Sequence, residues 1–397
     1  MKTKLVIFGI TGHLSRTKLL PALNNIFATG DYDDMEIIGV SRRQINMSKL
    51  LKESIGDAKL AKKFQSFTMD LAEPKDYKRL KRKLVPGRSK QILIYLAVPP
   101  GASAAIVDNL GEAGINTPNV KLLFEKPFGF DLASAEDYLS RTARYFSDKQ
   151  IFRIDHYAAK EIARHIVNLR ELHKRWNNKT IASVEVIASE STGIDGRAEF
   201  YEQTGALRDF VQGHLLQILA LVIMDLPKPG KRFNFERLPK LRLAALNFIK
   251  PANPELSTRG QYSNYSEEVD NPGSQTETFV QLQLESDAPK WRGVPLFVTT
   301  GKALDLKRSY VVIHYKDGSQ SMCDEETIES IDHKKLDAYE RVLIEAIAGR
   351  KSLFISGEEV LREWQIVAPV QDSWNMGQQP LKIYPSGSTA QEVVDIK

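Results

Sequence analysis

The stretch LVIFGITGHLSRTKLLPAL, residues 5–23, joins an apolar run to an amphipathic segment through two glycines. The run before Gly9 is continuously apolar, as in a buried parallel strand, and the residues after Lys18 have helical periodicity. Gly9 permits a tight turn, and Gly12 lets the backbone approach a pyrophosphate at the N-terminus of the next helix. This pattern predicts a dinucleotide-binding turn, although a plain strand–helix turn has the same glycines.

Similar apolar runs recur through the first third of the chain, with helical patterns between them at 19–30 and 102–114. The alternation of strand and helix predicts the fold class of residues 1–155, an α/β, Rossmann-like, doubly wound nucleotide-binding domain. The further runs that predict parallel strands are EIIGV (36–40), QSFTM (65–69), ILIYLAV (92–98), KLLFE (121–125) and IFRID (151–155).

The pattern changes after Tyr157, and residues 156–397 predict a second domain of the α+β class. Alternating apolar and polar residues predict a largely antiparallel sheet, and we expect this domain to bind the substrate and to carry any dimer interface. A stretch rich in turn-forming residues, 250–275, is expected to be a loop. The predicted helices are 158–175 and 205–224, and the predicted strands are 181–190, 276–285, 294–300 and 310–315.

Composition limits the class of protein. The chain has 397 residues, which predicts about two domains, and it is 42% hydrophobic and 26% charged, as in ordinary globular proteins. No apolar run approaches the ~20 residues of a membrane span, so no membrane partner is expected. The basic stretch 78–90 lacks interleaved aromatic residues, so no nucleic-acid partner is expected. A net charge of +5 suits the binding of small anions.

Cysteine and histidine usage narrows the chemistry further. The one cysteine, Cys323, excludes an internal disulfide and a cysteine-based metal cluster, and it fits a cytoplasmic location. The seven histidines show no metal-ligand spacing, so no metal site is expected.

The residues after the second predicted strand bear on the choice of cofactor. Ser41, Arg42 and Arg43 stand where an NAD-selective domain carries an acidic residue for the adenine ribose. Arginine instead suits the 2′-phosphate of NADP, through charge and paired hydrogen bonds. The sequence therefore favours NADP over NAD, although surface arginines without a role would give the same pattern.

The segment RIDHYAAKE, residues 153–161, is dense in functional side chains. Asp155 ends the last strand of the first domain, and His156, Tyr157 and Lys160 come at the start of the next helix. Helix N-terminal amides, an imidazole, a phenol and an ammonium group together suit a phosphate. A structural histidine near a domain hinge is the alternative interpretation.

Two lysine-containing loops follow predicted strands. EKPFG (125–129) comes after the fifth strand, so Lys126 is expected in the cofactor crevice, and its bond to Pro127 is a candidate cis peptide. Lys302 and Lys307 follow a later strand and suit a sugar phosphate with its hydroxyls. Solvated lysines are the alternative at both places.

His214 lies near the start of the predicted helix 205–224. A lone histidine on such a helix is usually structural, but an orienting carboxylate such as Asp155 would make it an effective general base. The helix therefore carries a candidate catalytic residue whose role depends on the fold.

Taken together, these segments resemble glucose-6-phosphate dehydrogenases. RIDHYAAKE is the most specific of them, and the matching stretches follow the family order along the whole chain. They are GITGHLSRTKLLPAL (9–23), LAVPP (96–100), FEKPFGFDLASA (124–135), RIDHYAAKE (153–161), FYEQTGALRDFVQGHLLQIL (200–219), SQTETFVQLQL (274–284), GVPLFVTTGKAL (293–304), DAYERVLIEAI (337–347) and YPSGS (384–388).

The resemblance implies oxidation of glucose 6-phosphate at C1 to a lactone, with hydride passing to NADP. It makes His214 the general base and Asp155 the residue that orients its ring. The resemblance implies that the 6-phosphate is bound by His156, Tyr157 and Lys160. It implies that the sugar hydroxyls are bound by Glu190, Asp209, Lys126 and Lys302, with Lys307 near the phosphate or ring. The residues that it implies for cofactor binding are Gly9, Thr11, Gly12, Leu14, Lys18, Arg42, Pro99 and Lys126.

The sequence departs from the family pattern in three places. His13 stands in GHL where the family usually has GDL, and Gly213 stands in QGH where it usually has QNH. The chain is also shorter than full-length members, because Tyr339 follows Tyr315 after 24 positions, too few for the usual sheet strands. Family dimers associate through that sheet, so the sequence leaves open whether this chain forms a homodimer.

Two other hypotheses stand beside this function. The same hydride transfer could act on another phosphorylated hexose or amino sugar in a specialised biosynthetic pathway, which Gly213 and the shortened sheet would favour. A non-catalytic sensor of sugar phosphate or NADP would let catalytic positions drift, whereas Asp155, Lys126 and His214 are all present.

Overall fold

The structure is a computed structural model that describes residues 3–84, 91–155, 157–158, 161–172, 176–226, 233–324 and 336–396. The chain divides into two compact units, each with its own sheet. Unit 1 comprises residues 1–129, 133–159 and 336–357, and unit 2 comprises residues 130–132, 160–335 and 358–397.

Unit 1 is built on six parallel strands and one short antiparallel strand. The parallel strands are β1 (Thr3–Phe8), β2 (Glu36–Ser41), β3 (Phe64–Thr68), β4 (Gln91–Leu96), β5 (Val120–Phe124) and β6 (Ile151–Ile154), and the antiparallel one is β13 (Phe354–Ile355). The order in the sheet is β13-β6-β5-β4-β1-β2-β3. The six predicted strands are confirmed. The continuous apolar runs of the inner strands β1 and β4 reflect burial on both faces, whereas the edge strand β3 is only partly buried.

Helices cover both faces of this sheet. One core joins Ile7 of β1 to Leu23 and Leu50 on two helices, and on the other face Phe8 stacks on Tyr77 at a centroid distance of 6.5 Å. The unit is therefore doubly wound, as predicted. Its helices are α1 (Leu20–Ala28), α2 (Met47–Ile55), α3 (Pro74–Leu84), α4 (Pro100–Glu112), α5 (Leu132–Ala143) and α11 (Ala338–Ala348).

Residues 336–357 belong to unit 1, whereas the sequence prediction placed all of 156–397 in the second domain. Val342 and Leu343 of α11 are buried in the unit 1 core. The side chain of Gln91 donates to the carbonyl oxygen of Ile347 at 2.7 Å. An amphipathic pattern predicts that a helix will bury one face, but it does not show which of two cores receives that face.

Unit 2 contains a second seven-stranded sheet. Its strands are β7 (Ile181–Ser189), β8 (Ser257–Tyr262), β9 (Phe279–Leu284), β10 (Leu296–Gly301), β11 (Arg308–Tyr315), β12 (Gln320–Asp324) and β14 (Leu381–Tyr384), in the order β12-β11-β7-β10-β9-β8-β14. Among the described strands of this second sheet, only the β7–β10 and β8–β14 pairs are parallel. The prediction of a largely antiparallel sheet is confirmed.

The prediction of a loop at 250–275 was wrong for the middle of this stretch, because β8 and a short helix form there. The sequence STRGQY lacks a clear apolar alternation and lies among turn-forming residues. Its backbone is paired instead by β9 and β14, which are distant in sequence, so local propensity did not reveal the strand.

The helix predicted at 205–224 is broken. A π-helical segment, Leu207–Leu215, separates its two α-helical parts, and Gly205, Gln212 and Gly213 have non-helical torsions. Apolar periodicity runs across these breaks, which is why the sequence predicted one helix. The helices of unit 2 are α6 (Glu161–Leu172), α7 (Ala198–Ala206), α8 (Leu216–Ile223), α9 (Leu238–Phe248), α10 (Tyr265–Glu268), α12 (Gly357–Asn375) and α13 (Ala390–Asp395).

The broken helix is the one stretch of the described chain that is long and apolar enough to cross a membrane by length and composition, Ala198–Ile223. However, 83% of its most apolar window is buried inside the protein. Burial on this scale is the pattern of a core helix.

Candidate active site

The predicted site residues of unit 1 lie along one edge of its sheet, at the carboxyl ends of the parallel strands. Phe8 pairs with Leu96, and Leu96 pairs with Phe124, so the segments that follow these strands leave the sheet side by side. This is the edge at which doubly wound sheets bind their ligands. The predicted residues placed there are Gly9, Thr11, Gly12, Leu14, Lys18, Arg42, Pro99, Lys126 and Asp155.

The turn after β1 requires glycine at Gly9. Its φ is +78°, and a Cβ atom there would lie 2.1 Å from the carbonyl oxygen of Ala97. The Gly12 amide and the Ser15 hydroxyl both donate to the Gly9 carbonyl oxygen, each at 2.9 Å. The turn therefore closes directly onto the following helical N-terminus, a geometry that fits a dinucleotide pyrophosphate.

Exposed cations lie close to this turn. Lys18 is exposed on the helical segment, and Arg42 is exposed at the end of β2, which pairs with β1. Thr11 and Pro99 are also exposed, and Leu14 is partly buried. The combination of a glycine turn and nearby cations fits the phosphate groups of a nicotinamide dinucleotide.

A carboxyl group at the end of β5 has a perturbed pKa. The Tyr95 hydroxyl donates to Glu125, and Tyr95 itself is buried. Burial, followed by the nearby charge of Asp155, raises the pKa of Glu125 to about 7, and the hydrogen bond from Tyr95 opposes the shift. The adjoining Lys126–Pro127 bond is cis, which confirms the prediction from the sequence.

Asp155 is fully buried directly after β6. Its Oδ1 accepts hydrogen bonds from the amides of Tyr157 at 2.8 Å and Ala158 at 3.4 Å. The carboxylate therefore has a fixed orientation relative to the backbone that follows it. Tyr157 is buried, whereas the predicted phosphate residues His156 and Lys160 lie outside the described residues.

Two predicted sugar-binding residues of unit 2 form an ion pair. Glu190 follows β7 and Lys302 follows β10, and these parallel strands pair Ser189 with Gly301. The Lys302 ammonium group binds the Glu190 carboxylate, and Lys302 is only 3% exposed. Strand pairing thus joins side chains that are 112 positions apart in the sequence.

His214 and Asp209 lie on the π-helical segment Leu207–Leu215, which packs against β10, the strand that ends next to Lys302. His214 is 5% exposed, and its ring contacts the Phe210 ring edge to face at a centroid distance of 5.5 Å. Unit 2 therefore places the predicted base, two carboxylates and a lysine in one region of its sheet.

Tyr201 was not among the predicted site residues, yet it contacts them. The Lys302 ammonium group lies 5.2 Å from the centroid of its ring. Burial, with the charges of Asp209, Glu277 and Glu190 among others, raises the pKa of the Tyr201 hydroxyl well above its usual value. The available signal was its position in the stretch FYEQTGALRDFVQGHLLQIL (200–219), but Tyr201 lies outside the predicted helix 205–224 and no motif singled it out.

Other candidate sites in the described chain do not coincide with this group. A cavity of about 370 Å³ in unit 2 is lined by Arg208, Arg259, Glu277 and Trp374 among others, and by none of the predicted site residues that are described. Lys307 is exposed on the loop after β10. Within the described ranges, no group of three or more His, Cys, Asp or Glu side chains has a geometry that could hold a metal ion.

Family models match both units. The model described as "Glucose-6-phosphate dehydrogenase, NAD binding domain" matches residues 6–165. The model described as "Glucose-6-phosphate dehydrogenase, C-terminal domain" matches residues 168–336 and 322–395. Together with the glycine turn, these matches define the class of protein as an oxidoreductase that uses a nicotinamide cofactor.

Individual relatives match almost the whole chain. The glucose-6-phosphate 1-dehydrogenase of Dickeya dadantii is 31% identical and covers 97% of this chain and 94% of its own length. That of Buchnera aphidicola subsp. Schizaphis graminum is 33% identical, with the same coverage. The crystal structure of the Mycobacterium avium enzyme has 29% identity and a TM-score of 0.85, covering 99% of this chain and 96% of that one. The chain belongs to the glucose-6-phosphate dehydrogenase family.

The matches also bear on the shortened segment. The alignment with the Dickeya dadantii protein extends over 462 positions, whereas this chain has 397 residues, so the relative carries extra residues. The C-terminal model matches in two pieces that overlap at residues 322–336. This range falls between Tyr315 and Tyr339, where the sequence predicted the loss.

Proposed function

We propose that this chain oxidises glucose 6-phosphate at C1 to the 6-phosphoglucono-lactone, with NADP as the cofactor. The observation that carries the proposal is the Glu190–Lys302 pair at adjacent strand ends, beside the segment with Asp209 and His214. Carboxylates and an ammonium group suit the hydroxyls of a sugar. Relatives that cover 97% of the chain carry the name of this activity, which favours it over another hexose phosphate.

In the proposed mechanism, His214 takes the proton of the C1 hydroxyl as the C1 hydrogen leaves as hydride. The bound nicotinamide supplies the hydride acceptor. Asp155 orients the imidazole and stabilises its charged form, a role supported by the fixed and buried carboxylate. A base positioned in this way contributes roughly 10²- to 10⁴-fold to the rate.

The remaining predicted residues are proposed to hold the two ends of the sugar. His156, Tyr157 and Lys160 bind the 6-phosphate, and Lys307 assists near the phosphate or ring. Glu190, Asp209, Lys302 and Lys126 bind the hydroxyls near the reacting carbon. The reaction is proposed for the cytoplasm, as a step into the pentose phosphate pathway.

The function is tested by the absorbance of reduced nicotinamide with a panel of hexose and amino-hexose phosphates. We expect turnover with glucose 6-phosphate, and we expect His214→Asn to lose roughly 10²- to 10⁴-fold in kcat while still binding the substrate. His314→Asn, on a strand of unit 2, is the matched control and should keep its activity. Full activity of His214→Asn would refute the base assignment, and preference for another sugar would refute the substrate.

Preference for NADP is proposed to depend on Arg42, because it is exposed beside the glycine turn. We expect Arg42→Ala to lower the ratio of kcat/KM for NADP over NAD about 10- to 100-fold, the range for a charged hydrogen bond. Arg43→Ala is the neighbouring control and should leave the ratio near that of the parent. If only Arg43→Ala changed the ratio, the 2′-phosphate assignment to Arg42 would be wrong.

A further inference from the structure

We infer that Glu363, on helix α12, is a positioning residue that sets the direction of His214 by holding the chain on both sides of it. The inference rests on the proposed function, in which His214 is the base. Glu363 lies in none of the stretches that predicted the site, and it acts through two glutamines.

The backbone is irregular immediately before His214. Gln212 has φ −66° and ψ 117°, and Gly213 has φ 92° and ψ −87°, whereas the residues on either side are helical. In a regular helix the repeating backbone hydrogen bonds fix the direction of each side chain. At this break the direction of the imidazole depends on two torsion pairs, so another contact must hold them.

The side chain of Glu363 supplies that contact on both sides of the break. The Gln212 amide donates to Glu363 Oε2 at 3.2 Å, and the Gln217 amide donates to Glu363 Oε1 at 2.5 Å. Gln212 precedes His214 and Gln217 follows it. Gln212, Gln217 and Glu363 are each at most 1% exposed, so water does not compete for these hydrogen bonds.

A neighbouring carboxylate completes the network without touching the break. Glu359, one turn earlier on α12, accepts from Arg242 Nε at 2.9 Å and from Gln217 at 3.4 Å. Arg242 supplies the positive charge that buried carboxylates require. Glu359 and Glu363 are alike in burial and helix, but only Glu363 binds Gln212. Glu359 is therefore a matched control for Glu363.

The test compares Glu363→Gln with Glu359→Gln in the full chain. Glu363→Gln replaces one acceptor with a donor, so the two glutamine amides can no longer both be accepted. Because a small displacement of a base has a large cost, we expect kcat to fall about 10-fold or more. We expect KM of Glu363→Gln for glucose 6-phosphate and for NADP to stay within about twofold of the parent values. We expect kcat of Glu359→Gln to stay within about twofold of the parent value as well.

A second readout does not depend on turnover. The imidazole ¹H–¹⁵N signals of His214 should shift in Glu363→Gln and stay in place in Glu359→Gln, which separates failure of the inference from failure of the proposed function. Equal kcat losses in both variants, or unchanged His214 signals in Glu363→Gln, would overturn the inference.

Gln212→Met keeps the test decisive if Glu363→Gln does not fold, because the carboxylate keeps its bond to Gln217. We expect the same loss of kcat and the same change in the His214 signals. Where the double variant Gln212→Met/Glu363→Gln folds, its loss of kcat should not exceed that of either single variant. Both substitutions act on the same interaction, the hydrogen bond from Gln212 to Glu363. An unchanged kcat in Gln212→Met would contradict the inference.

Discussion

Gly213 explains one departure from the family pattern in terms of backbone geometry. The family usually has asparagine at this position, and here φ is 92° with ψ −87°, far from the torsions of the left-handed helix that asparagine tolerates. Glycine adopts such torsions without steric cost. Glycine at position 213 therefore allows the backbone to turn immediately before His214.

Glu125 gives the protein a pH-dependent stability with a defined sign. Its pKa is about 7 in the folded protein against a usual value of 4.5. The folded state therefore binds this proton more tightly, so the contribution is complete below pH 4.5 and is lost as the pH rises through 7. The shift corresponds to an effect on the order of 3 kcal/mol.

This effect is measured by urea unfolding of the parent and of Glu125→Gln between pH 4 and about 8. Other groups titrate in the same range, so the relevant quantity is the difference between the two proteins. We expect the parent to lose stability relative to the variant as the pH rises. Parallel profiles would show that Glu125 titrates normally.

Strand β14 contributes a residue that supports the Lys302 loop from a distant part of the chain. Tyr384 is fully buried, and its hydroxyl donates to the carbonyl oxygen of Lys302 at 2.7 Å and lies 2.8 Å from Thr278 Oγ1. Removing the hydroxyl leaves that carbonyl without this donor. We expect Tyr384→Phe to cost about 1–3 kcal/mol of stability and to raise KM for glucose 6-phosphate.

The matched control is Tyr262→Phe, which removes a hydroxyl from the same aromatic cluster. The Tyr262 hydroxyl binds Glu268 and not the Lys302 loop. This variant should lose stability without a change in KM. Equal KM values in both variants would mean that β14 supports the core without affecting substrate binding through the Lys302 loop.

The elements that the sequence could predict are those whose signal is local. Continuous apolar runs predicted inner strands such as β1 and β4 because both of their faces are buried. Strand β8 and the break at Gln212 could not be predicted, because distant partners determine them. β8 is paired by β9 and β14, and Gln212 is held by a residue 151 positions away.

The same distinction applies to the candidate site. Residues at strand ends, such as Arg42 and Lys126, could be placed from the order of strands alone. The contact of Glu190 with Lys302 required the parallel pairing of β7 with β10, which no local pattern encodes. Tyr201 was missed because its contact with Lys302 depends on the fold and no local pattern predicts it.

At the level of the whole chain, unit 1 depends on residues 336–357, which are distant in sequence from the rest of the unit. Leu343 of α11 is buried in its core, and Phe354 of β13 pairs with Ile154. A fragment of residues 1–159 lacks both contacts, so we expect it to unfold without a sharp cooperative transition in urea. Fusing residues 336–357 to that fragment through a flexible linker should restore the transition.

The linker alone is the control for that experiment, because an unrelated tail should restore nothing. A cooperative transition in the fragment without residues 336–357 would show that the returning segment is dispensable. Whether two copies of the chain associate is a separate question, which the sequence leaves open because the interval between Tyr315 and Tyr339 is shortened.

The return of residues 336–357 to unit 1 also affects how the protein is made. The ribosome adds residue 357 roughly 200 residues after residue 159, a delay on the order of 10–40 s at about 5–20 residues per second. During that time the nascent nucleotide-binding sheet exposes the apolar surface that α11 will cover. Synthesis of this enzyme therefore includes a period in which chaperones and nonspecific aggregation compete for one defined surface, and the period ends only after residues 336–357 have been synthesised.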